Sequence, residues 1–294
     1  MKIALYGRVF KKESGLFIQA LYKQMQDSDI GFCTEELFLA QLVANNIRIS
    51  NTDTFSNKAE LVKHKPDIFL VLGGDGTMLD SIVYTHGSDI PVMGLNTGRL
   101  GFLTGEQKPD LGKWMDHLIK GHYSIDKRTV LQLESNHPLF EGINYGLNDF
   151  VIHKKDSSSM MTIHTYLNGE FLNSYWSDGL IISTPTGSTG YSLSCGGPIL
   201  YPGSDSFVIT PIAPHNLNVR PMVVSDQHVI SFEIEDRSTS FLVSLDSRSE
   251  TINANYNLAV RKADFYFNLL SFNDENYLKT LRKKLMWGID NRNI

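Results

Sequence analysis

Residues 68–72 form an apolar run that ends directly in Gly-Gly-Asp-Gly-Thr, and this feature constrains the fold more than any other. A short apolar run bounded by glycine is typical of a strand buried on both faces of a parallel sheet. Open α/β sheets bind their ligands at the loops that leave the carboxyl ends of such strands. The sequence therefore predicts an α/β domain with a ligand-binding loop at residues 73–77.

The loop consists of Gly73, Gly74, Asp75, Gly76 and Thr77. Its glycines allow the backbone to approach phosphate oxygens closely. Asp75 would repel phosphate, and it suits instead the acceptance of a proton from a hydroxyl nucleophile, or a place facing a metal ion. The segment thus indicates phosphoryl transfer to an alcohol. Taken alone, Gly-Asp-Gly favours a tight strand-to-helix turn in which the aspartate caps the helix.

The chain of 294 residues is long enough for two domains or one large one. Its 27 basic and 32 acidic side chains give a net charge of −5, which provides no electrostatic case for nucleic acid as a partner. No apolar run approaches the roughly 18 residues of a membrane helix, and the first residues read as a strand rather than a signal peptide. With only Cys33 and Cys195, we expect a cytoplasmic protein without disulfides or a structural zinc site.

Residues 1–125 alternate strand patterns with amphipathic helical patterns. Such alternation indicates a parallel sheet with right-handed crossovers, so we predict an α/β nucleotide-binding domain here. The predicted strands are 2–7, 47–49, 68–72 and 92–95, and the predicted helices are 16–25, 34–43, 58–64, 78–84 and 111–119.

From residue 127 the apolar period changes to that of strands. Asn168-Gly169 is a strong signal for a two-residue hairpin turn. We predict an all-β, sandwich-like C-terminal domain at 126–271, and a C-terminal amphipathic helix within 272–294 that packs back on the first domain. The predicted strands are 130–133, 150–153, 162–167, 170–172, 179–183, 207–210, 229–235, 241–245 and 263–269.

Both common nucleotide-binding motifs are absent from the sequence. No Gly-Lys-Ser/Thr of a Walker loop occurs, and Leu79 stands where a Rossmann fingerprint needs its third glycine. Residues 178–198 are the second informative segment, with seven serine or threonine side chains and no charge between Ser183 and Ser194. Hydroxyls and exposed amides bind phosphate, ribose or an adenine edge without imposing a net charge. The alternative is a turn rich in glycine and serine.

Three weaker signals lie outside these segments. Asn148-Asp149 opens a strand and suits the hydroxyls of a ribose or the edge of a base, although such a pair is more often a turn cap. Phe102 can stack on a purine, although most phenylalanines lie in a core. His215 and Arg220 stand between two prolines, where they can meet a polyphosphate or cap a strand.

Together these segments resemble the NAD kinase family closely. The family's Gly-Gly-Asp-Gly-Thr is matched at 73–77, its Asn-Glu/Asp pair at 148–149, and its long Asp-Gly to Gly-Gly-Pro segment at 178–198, in the family's order. The resemblance runs from about residue 70 to the C-terminal helix, and the first 65 residues match in pattern only. Because diacylglycerol kinases, sphingosine kinases and phosphofructokinases share Gly-Gly-Asp-Gly, the segment 178–198 is the specific part.

The resemblance implies a kinase that transfers the γ-phosphoryl group of ATP to the adenosine 2′-hydroxyl of NAD, giving NADP. It implies that Asp75 is the proton acceptor, that a divalent metal ion, Mg²⁺, assists, and that the chain forms a homo-oligomer, a dimer or tetramer. No dedicated protein ligands of the metal are identified in the sequence. The phosphates of ATP would contact Gly73, Gly74, Gly76, Thr77 and His215. NAD would contact Asp75, Gly76, Phe102, Asn148, Asp149, Asp178, Thr186, Thr189, Gly190, Tyr191, Ser192, Leu193, Ser194 and Arg248.

Two positions depart from the family pattern. Gly190 stands where the family often has alanine, which leaves the exposed amide in place. Arg248 stands where the family commonly has an amide side chain, and its cation would meet the NAD pyrophosphate or the product's 2′-phosphate, unless it is a solvated surface arginine.

Two alternative functions remain at this point. A lipid kinase of the diacylglycerol type would need an apolar or basic membrane-facing surface, which the acidic balance does not favour. A catalytically silent dinucleotide-binding module is disfavoured by the presence of Asp75.

Overall fold

The computed structural model describes residues 1–8, 14–47, 49, 52–98, 100–105, 109–155, 161–236, 240–272 and 276–288. The chain divides into two units, Met1–Asp126 with Asn268–Ile294, and Lys127–Phe267. None of the described helices is long and apolar enough to cross a membrane.

The first unit alternates strands and helices, as predicted. Its elements are β1 (Lys2–Gly7), α1 (Gly15–Asp27), β2 (Gly31–Glu35), α2 (Glu36–Ala44), β3 (Asp53–Phe55), α3 (Lys58–His64), β4 (Ile68–Gly73), α4 (Asp75–Asp80), α5 (Ile82–Thr85), β5 (Val92–Asn96) and α6 (Leu111–Ile119). The five strands pair in parallel in the order β5-β4-β1-β2-β3. The predicted parallel sheet is therefore confirmed.

The centre of this sheet is apolar on both faces, as the run at 68–72 indicates. All six residues of β4 are buried, and Leu70 and Leu72 pack in one cluster with residues of α1 and α6. Burial of each such side chain contributes about 1.5–3 kcal/mol. The buried strand thus holds the loop that follows it on a rigid support.

One predicted strand is wrong. Residues 47 and 49 are not in a strand, Arg48 lies outside the described residues, and the third strand is β3. Ile47 instead closes α2: its amide donates to the Leu42 carbonyl, and Asn46, with φ of 60°, donates to the Val43 carbonyl. This is the Schellman arrangement, in which an apolar residue just past the helix packs back on it.

The second unit is built of antiparallel strands. Its elements are β6 (Tyr123–Ser135), β7 (Tyr145–Gly146), β8 (Asp149–Lys154), β9 (Met161–Leu167), β10 (Glu170–Ser177), β11 (Gly179–Ser183), α7 (Tyr191–Ser194), β12 (Ser206–Ile212), β13 (Met222–Ser225), β14 (Ile230–Asp236), β15 (Phe241–Leu245), β16 (Arg248–Ile252) and β17 (Leu258–Phe272). The helix α8 (Tyr277–Leu285) follows and belongs to the first unit.

Two antiparallel layers enclose the core of this unit. One has the order β13-β12-β11-β8-β15-β16, and the other contains β10-β9-β14-β17. Phe150 and Phe207 from the first layer share a buried cluster with Ile163 and Phe232 from the second. The sandwich-like fold is confirmed, and Asn168 and Gly169 both have positive φ in the β9–β10 hairpin, as a type I′ turn requires.

Candidate functional site

The glycine-rich loop lies where β4 leaves the sheet. Gly73 is the last residue of β4 and Asp75 is the first of α4. A Cβ at Gly73 would overlap the Thr77 side chain, so only glycine fits there. At Gly74 and Gly76 nothing lies within 4 Å of the position that a Cβ would take. These two glycines therefore leave open space over the backbone, as a loop that meets a ligand requires.

The Asp75 carboxylate is bonded to a second loop, the segment after β5. Its Oδ2 accepts from the Phe102 amide at 2.6 Å. Its Oδ1 accepts from the amides of Leu103 at 3.1 Å and Thr104 at 3.3 Å, and from the Thr104 hydroxyl at 3.2 Å. A Cβ at Gly101 would overlap the carboxylate. Because Gly74 is the N-cap residue and Asp75 bonds to residues 102–104, the interpretation of Asp75 as the cap of α4 is wrong.

Asp75 thereby sets the position of Phe102. The Phe102 ring is half-buried, and its centroid lies 6.4 Å from that of Tyr277 on α8. The Lys284 ammonium, also on α8, lies 4.8 Å from the Phe102 centroid. The ring is thus at the rim of its unit rather than in its core, where stacking on a purine is sterically feasible, and a cation already contacts it.

The turn Asn148-Asp149 in the second unit is held by one carboxylate, that of Asp246. This group accepts from the amides of Leu147 at 2.7 Å, Asn148 at 2.7 Å and Asp149 at 3.1 Å. Asp246 lies in the two-residue turn between β15 and β16 and has φ of 53°. The sequence reasoning did not assign this role to Asp246.

The same contact places two carboxyl groups close together. Burial, together with the charge of Asp246, raises the pKa of Asp149 to about 7. Burial also raises the pKa of Asp246 above its ordinary value, and the three amide donors oppose this shift. Near neutral pH, Asp149 is therefore present in both protonation states, and it can accept a hydrogen bond or donate one to a ligand hydroxyl.

Residues 183–190 pack against the Asn148-Asp149 turn. Ser183 pairs with Asp149 across β11 and β8. A Cβ at Gly187 would overlap the Asn148 carbonyl. A Cβ at Gly190 would lie 3.5 Å from Asn148 Nδ2 and 3.9 Å from Asp149 Oδ2. The structure therefore brings together two segments that the sequence separates by about forty residues.

Several hydroxyls of this segment are used inside the fold. Thr184 donates to the Leu147 carbonyl at 2.6 Å, and Ser188 donates to the Pro185 carbonyl at 2.7 Å. The buried Ser192 hydroxyl bonds to that of Thr210 at 2.8 Å, so this side chain is used inside the fold, and the predicted contact of Ser192 with NAD stays a prediction. Thr186 is buried as well, and Arg128 lies within 3.4 Å of its hydroxyl. Among the remaining side chains of this segment, those of Tyr191 and Ser194 are exposed and those of Thr189 and Leu193 are partly buried.

Asp178 lies between β10 and β11, beside two basic side chains. The Lys154 ammonium is 2.6 Å from its Oδ1, and His215 Nε2 is 3.9 Å from the same atom. His215 is exposed and belongs to the second unit, whereas the glycine-rich loop belongs to the first. The group of Lys154, Asp178 and His215 combines an acceptor and two donors for a polar ligand.

The Arg248 side chain is partly buried and bonded within the fold, so it is not a solvated surface arginine. Its guanidinium donates to the carbonyls of Ile143, at 2.5 Å, and Tyr145, and it lies 5.7 Å from the Phe140 centroid. Two of its terminal nitrogens thus hold the segment 140–145. This placement favours a scaffold role over the predicted contact with the phosphates of NAD.

Within the described ranges, no three His, Cys, Asp or Glu side chains are arranged to hold a metal ion. Asp75, the carboxylate of the glycine-rich loop, is already bonded to four donors. Mg²⁺ in nucleotide enzymes is commonly held by substrate phosphates, its own waters and one or two carboxylates. These residues fit a metal ion that arrives with the nucleotide.

The family models and the relatives that match this chain all point to the same family. Residues 18–123 match the family model of the ATP-NAD kinase N-terminal domain, and residues 147–272 match that of the C-terminal domain. A protein of Cytophaga hutchinsonii named NAD kinase is 51% identical over 294 residues, which is all of both chains. A Bacteroides fragilis protein of the same name is 38% identical over 293 residues, covering 99% of this chain and 100% of its own.

Solved structures share the fold. Yeast NADH kinase, crystallised with NADH, superposes with a TM-score of 0.87 at 19% identity, covering 99% of this chain and 88% of its own. An NAD kinase from Archaeoglobus fulgidus, in complex with ATP, superposes with a TM-score of 0.72 at 20% identity, covering 97% and 99%. At these identities the likeness concerns the fold.

Proposed function

Because this chain belongs to the NAD kinase family, we propose that it transfers the γ-phosphoryl group of ATP to the adenosine 2′-hydroxyl of NAD, giving NADP and ADP. The two family models and the full-length relatives support the reaction class. The observation that carries the proposal is the Asp75 carboxylate at the carboxyl end of a buried parallel strand, between two glycines that leave their backbone open.

In the proposed reaction, the 2′-oxygen of NAD attacks the γ-phosphorus, and the bond from that phosphorus to the β,γ-bridging oxygen breaks. The proton of the hydroxyl goes to Asp75, and ADP leaves. The transition state is loose, so positioning supplies most of the acceleration and the base contributes about 10²–10⁴-fold. Oδ1 of Asp75 accepts three bonds and Oδ2 accepts one. We therefore assign the proton to Oδ2, which retains acceptor capacity.

For the dinucleotide, the proposal uses the turn held by Asp246. Asn148 offers an amide, and Asp149 offers a carboxyl group with a pKa of about 7 beside the Gly190 backbone. Such a set suits ribose hydroxyls, which both donate and accept. Asp178 and the exposed side chains near Tyr191 complete the polar surface of this unit.

The family also implies a divalent metal ion. Mg²⁺ would neutralise the charge that develops on the transferring phosphoryl group, and the nucleotide phosphates would supply its main ligands. The cytoplasmic location and the homo-oligomer, a dimer or tetramer, belong to the same proposal. Light scattering on the purified protein measures the assembly.

The test of the function is NADP formation. Purified protein, ATP, Mg²⁺ and NAD are incubated, and NADP is detected with an NADP-dependent dehydrogenase. We expect NADP to accumulate, and we expect diacylglycerol vesicles to remain unphosphorylated under the same conditions. Folded protein that forms no NADP with any of several divalent metals would contradict the proposal, and phosphorylation of the lipid would favour a lipid kinase.

A further inference from the structure

Arg8 lies beside the glycine-rich loop at the carboxyl edge of the parallel sheet. β1 and β4 pair in parallel with Gly7 opposite Leu72, so the next residues on the two strands are Arg8 and Gly73. Strands β1 and β4 therefore both end at the edge where open α/β sheets bind ligands. The loop 73–77 itself contains a carboxylate and no cation.

The orientation of Arg8 is fixed on one side. Its Nε lies 2.7 Å from Oδ2 of Asp80, the last residue of α4, and its guanidinium hydrogen-bonds with the Tyr6 hydroxyl. The Asp80 side chain is 4% exposed and that of Arg8 is 59% exposed. A buried partner therefore holds one side of a cation that otherwise faces solvent.

An ion pair between a buried carboxylate and a largely exposed guanidinium contributes little to stability, because the carboxylate loses its hydration while the arginine side stays in water. Such an arrangement does hold the guanidinium in a defined place before a ligand binds. A guanidinium that is held in advance loses little conformational entropy when it binds phosphate oxygens in a bidentate fork.

We propose that Arg8 binds the β- and γ-phosphates of ATP and supplies the cation that the loop 73–77 lacks. This inference rests on the proposed function. Arg8 follows β1 next to Gly73, about 4.8 Å away across one strand spacing, and its guanidinium lies at Asp80, the last residue of α4. A ligand with several linked phosphate groups can therefore contact the open backbone of the loop and the guanidinium together.

The test measures binding rather than turnover, so that it stands apart from the NADP assay. Mg·ATP and, separately, NAD are titrated by calorimetry into the parent protein, Arg8→Gln and Lys2→Gln. Lys2 is the matched control, because it lies at the other end of β1 and also forms an ion pair, at 3.2 Å with Asp53. We expect Arg8→Gln to weaken ATP binding by about 10- to 100-fold, as the loss of a charge-assisted phosphate contact implies.

We further expect that Arg8→Gln leaves the NAD dissociation constant within about twofold of the parent value, and that Lys2→Gln leaves both constants within about twofold. Unchanged ATP affinity in folded Arg8→Gln, or equal weakening of ATP and NAD, would overturn the inference. If Arg8→Gln is unstable because Asp80 is left unpaired, the double variant Arg8→Gln/Asp80→Asn removes both charges and must show the same selective loss. A parent protein that makes no NADP but binds ATP through Arg8 would refute the proposed function alone.

Discussion

Asp75→Asn separates the structural role of this carboxylate, which holds residues 102–104, from the catalytic role that we propose for it. Asparagine has one acceptor oxygen, so its NH₂ group would replace Oδ2 and face the Phe102 amide, a second donor. One charge-assisted bond is lost and the three bonds at Oδ1 become neutral. A charge-assisted bond is worth about 1.5–3 kcal/mol, so we expect the free energy of unfolding to fall by at least this amount, and the weakening of the other three bonds adds to the loss.

The effect on catalysis is expected to be larger than this loss of stability explains. Without a proton acceptor, kcat should fall by about 10²–10⁴-fold in protein that is still folded. The assays are urea unfolding and NADP formation at saturating ATP and NAD, both run well below the melting temperature of the variant. A kcat within tenfold of the parent value would show that Asp75 holds the 102–104 segment and does not accept the proton.

Thr104→Val is the control for the structural role. It removes the hydroxyl that donates to Asp75 and accepts from Asn96, while the three amide donors stay in place. We expect a loss of about 1–3 kcal/mol in the free energy of unfolding and a kcat within tenfold of the parent. A kcat as low as that of Asp75→Asn would assign the effect of both variants to the position of the segment.

Three further changes test the second unit. Because its folded pKa of about 7 lies above the ordinary value, Asp149 lowers the free energy of unfolding as pH rises from about 4 to about 7. Asp149→Asn lacks this loss, so its free energy of unfolding relative to the parent should be higher at pH 8 than at pH 5. Urea unfolding that gives the same difference at both pH values would contradict this. Arg248→Gln leaves two main-chain carbonyls without their donors and should cost about 1–3 kcal/mol in urea unfolding, with NAD and NADP affinities equally affected in calorimetry; a larger loss of NADP affinity would mean that the guanidinium reaches the dinucleotide. Gly187→Ala forces a Cβ into the Asn148 carbonyl and should cost about 1–3 kcal/mol and weaken NAD binding; a variant with the parent's melting temperature and NAD affinity would refute the close approach.

The fold was predictable to the extent that it follows from local patterns. The run at 68–72 forms the buried strand β4, and Asn168-Gly169 forms the hairpin turn, because period and turn chemistry act over a few residues. The strand expected at 47–49 was wrong because an apolar residue after a helix can serve its C-terminal cap as well as it can begin a strand.

The support of the candidate site was not predictable, because it depends on residues far apart in sequence. Asp246 bonds to amides 97 to 99 positions away, and Asp75 bonds to a segment 27 to 29 positions away. An aspartate that binds backbone amides leaves no pattern in its partners, since every residue except proline has an amide. Ser192 shows the same limit, because only the fold determines whether a hydroxyl faces Thr210 or a ligand.

The most direct measurement follows the γ-phosphoryl group itself. Purified protein is incubated with Mg²⁺, NAD and ATP carrying ³²P at the γ-position, and the labelled dinucleotide is separated and tested as a substrate of an NADP-specific dehydrogenase, which does not use the 3′-phosphate isomer. We predict that the label enters a dinucleotide that the dehydrogenase reduces, at a rate that Asp75→Asn lowers by about 10²–10⁴-fold. Label that stays in ATP or appears only as inorganic phosphate, with folded parent protein, would contradict the assignment of this chain as a kinase of NAD.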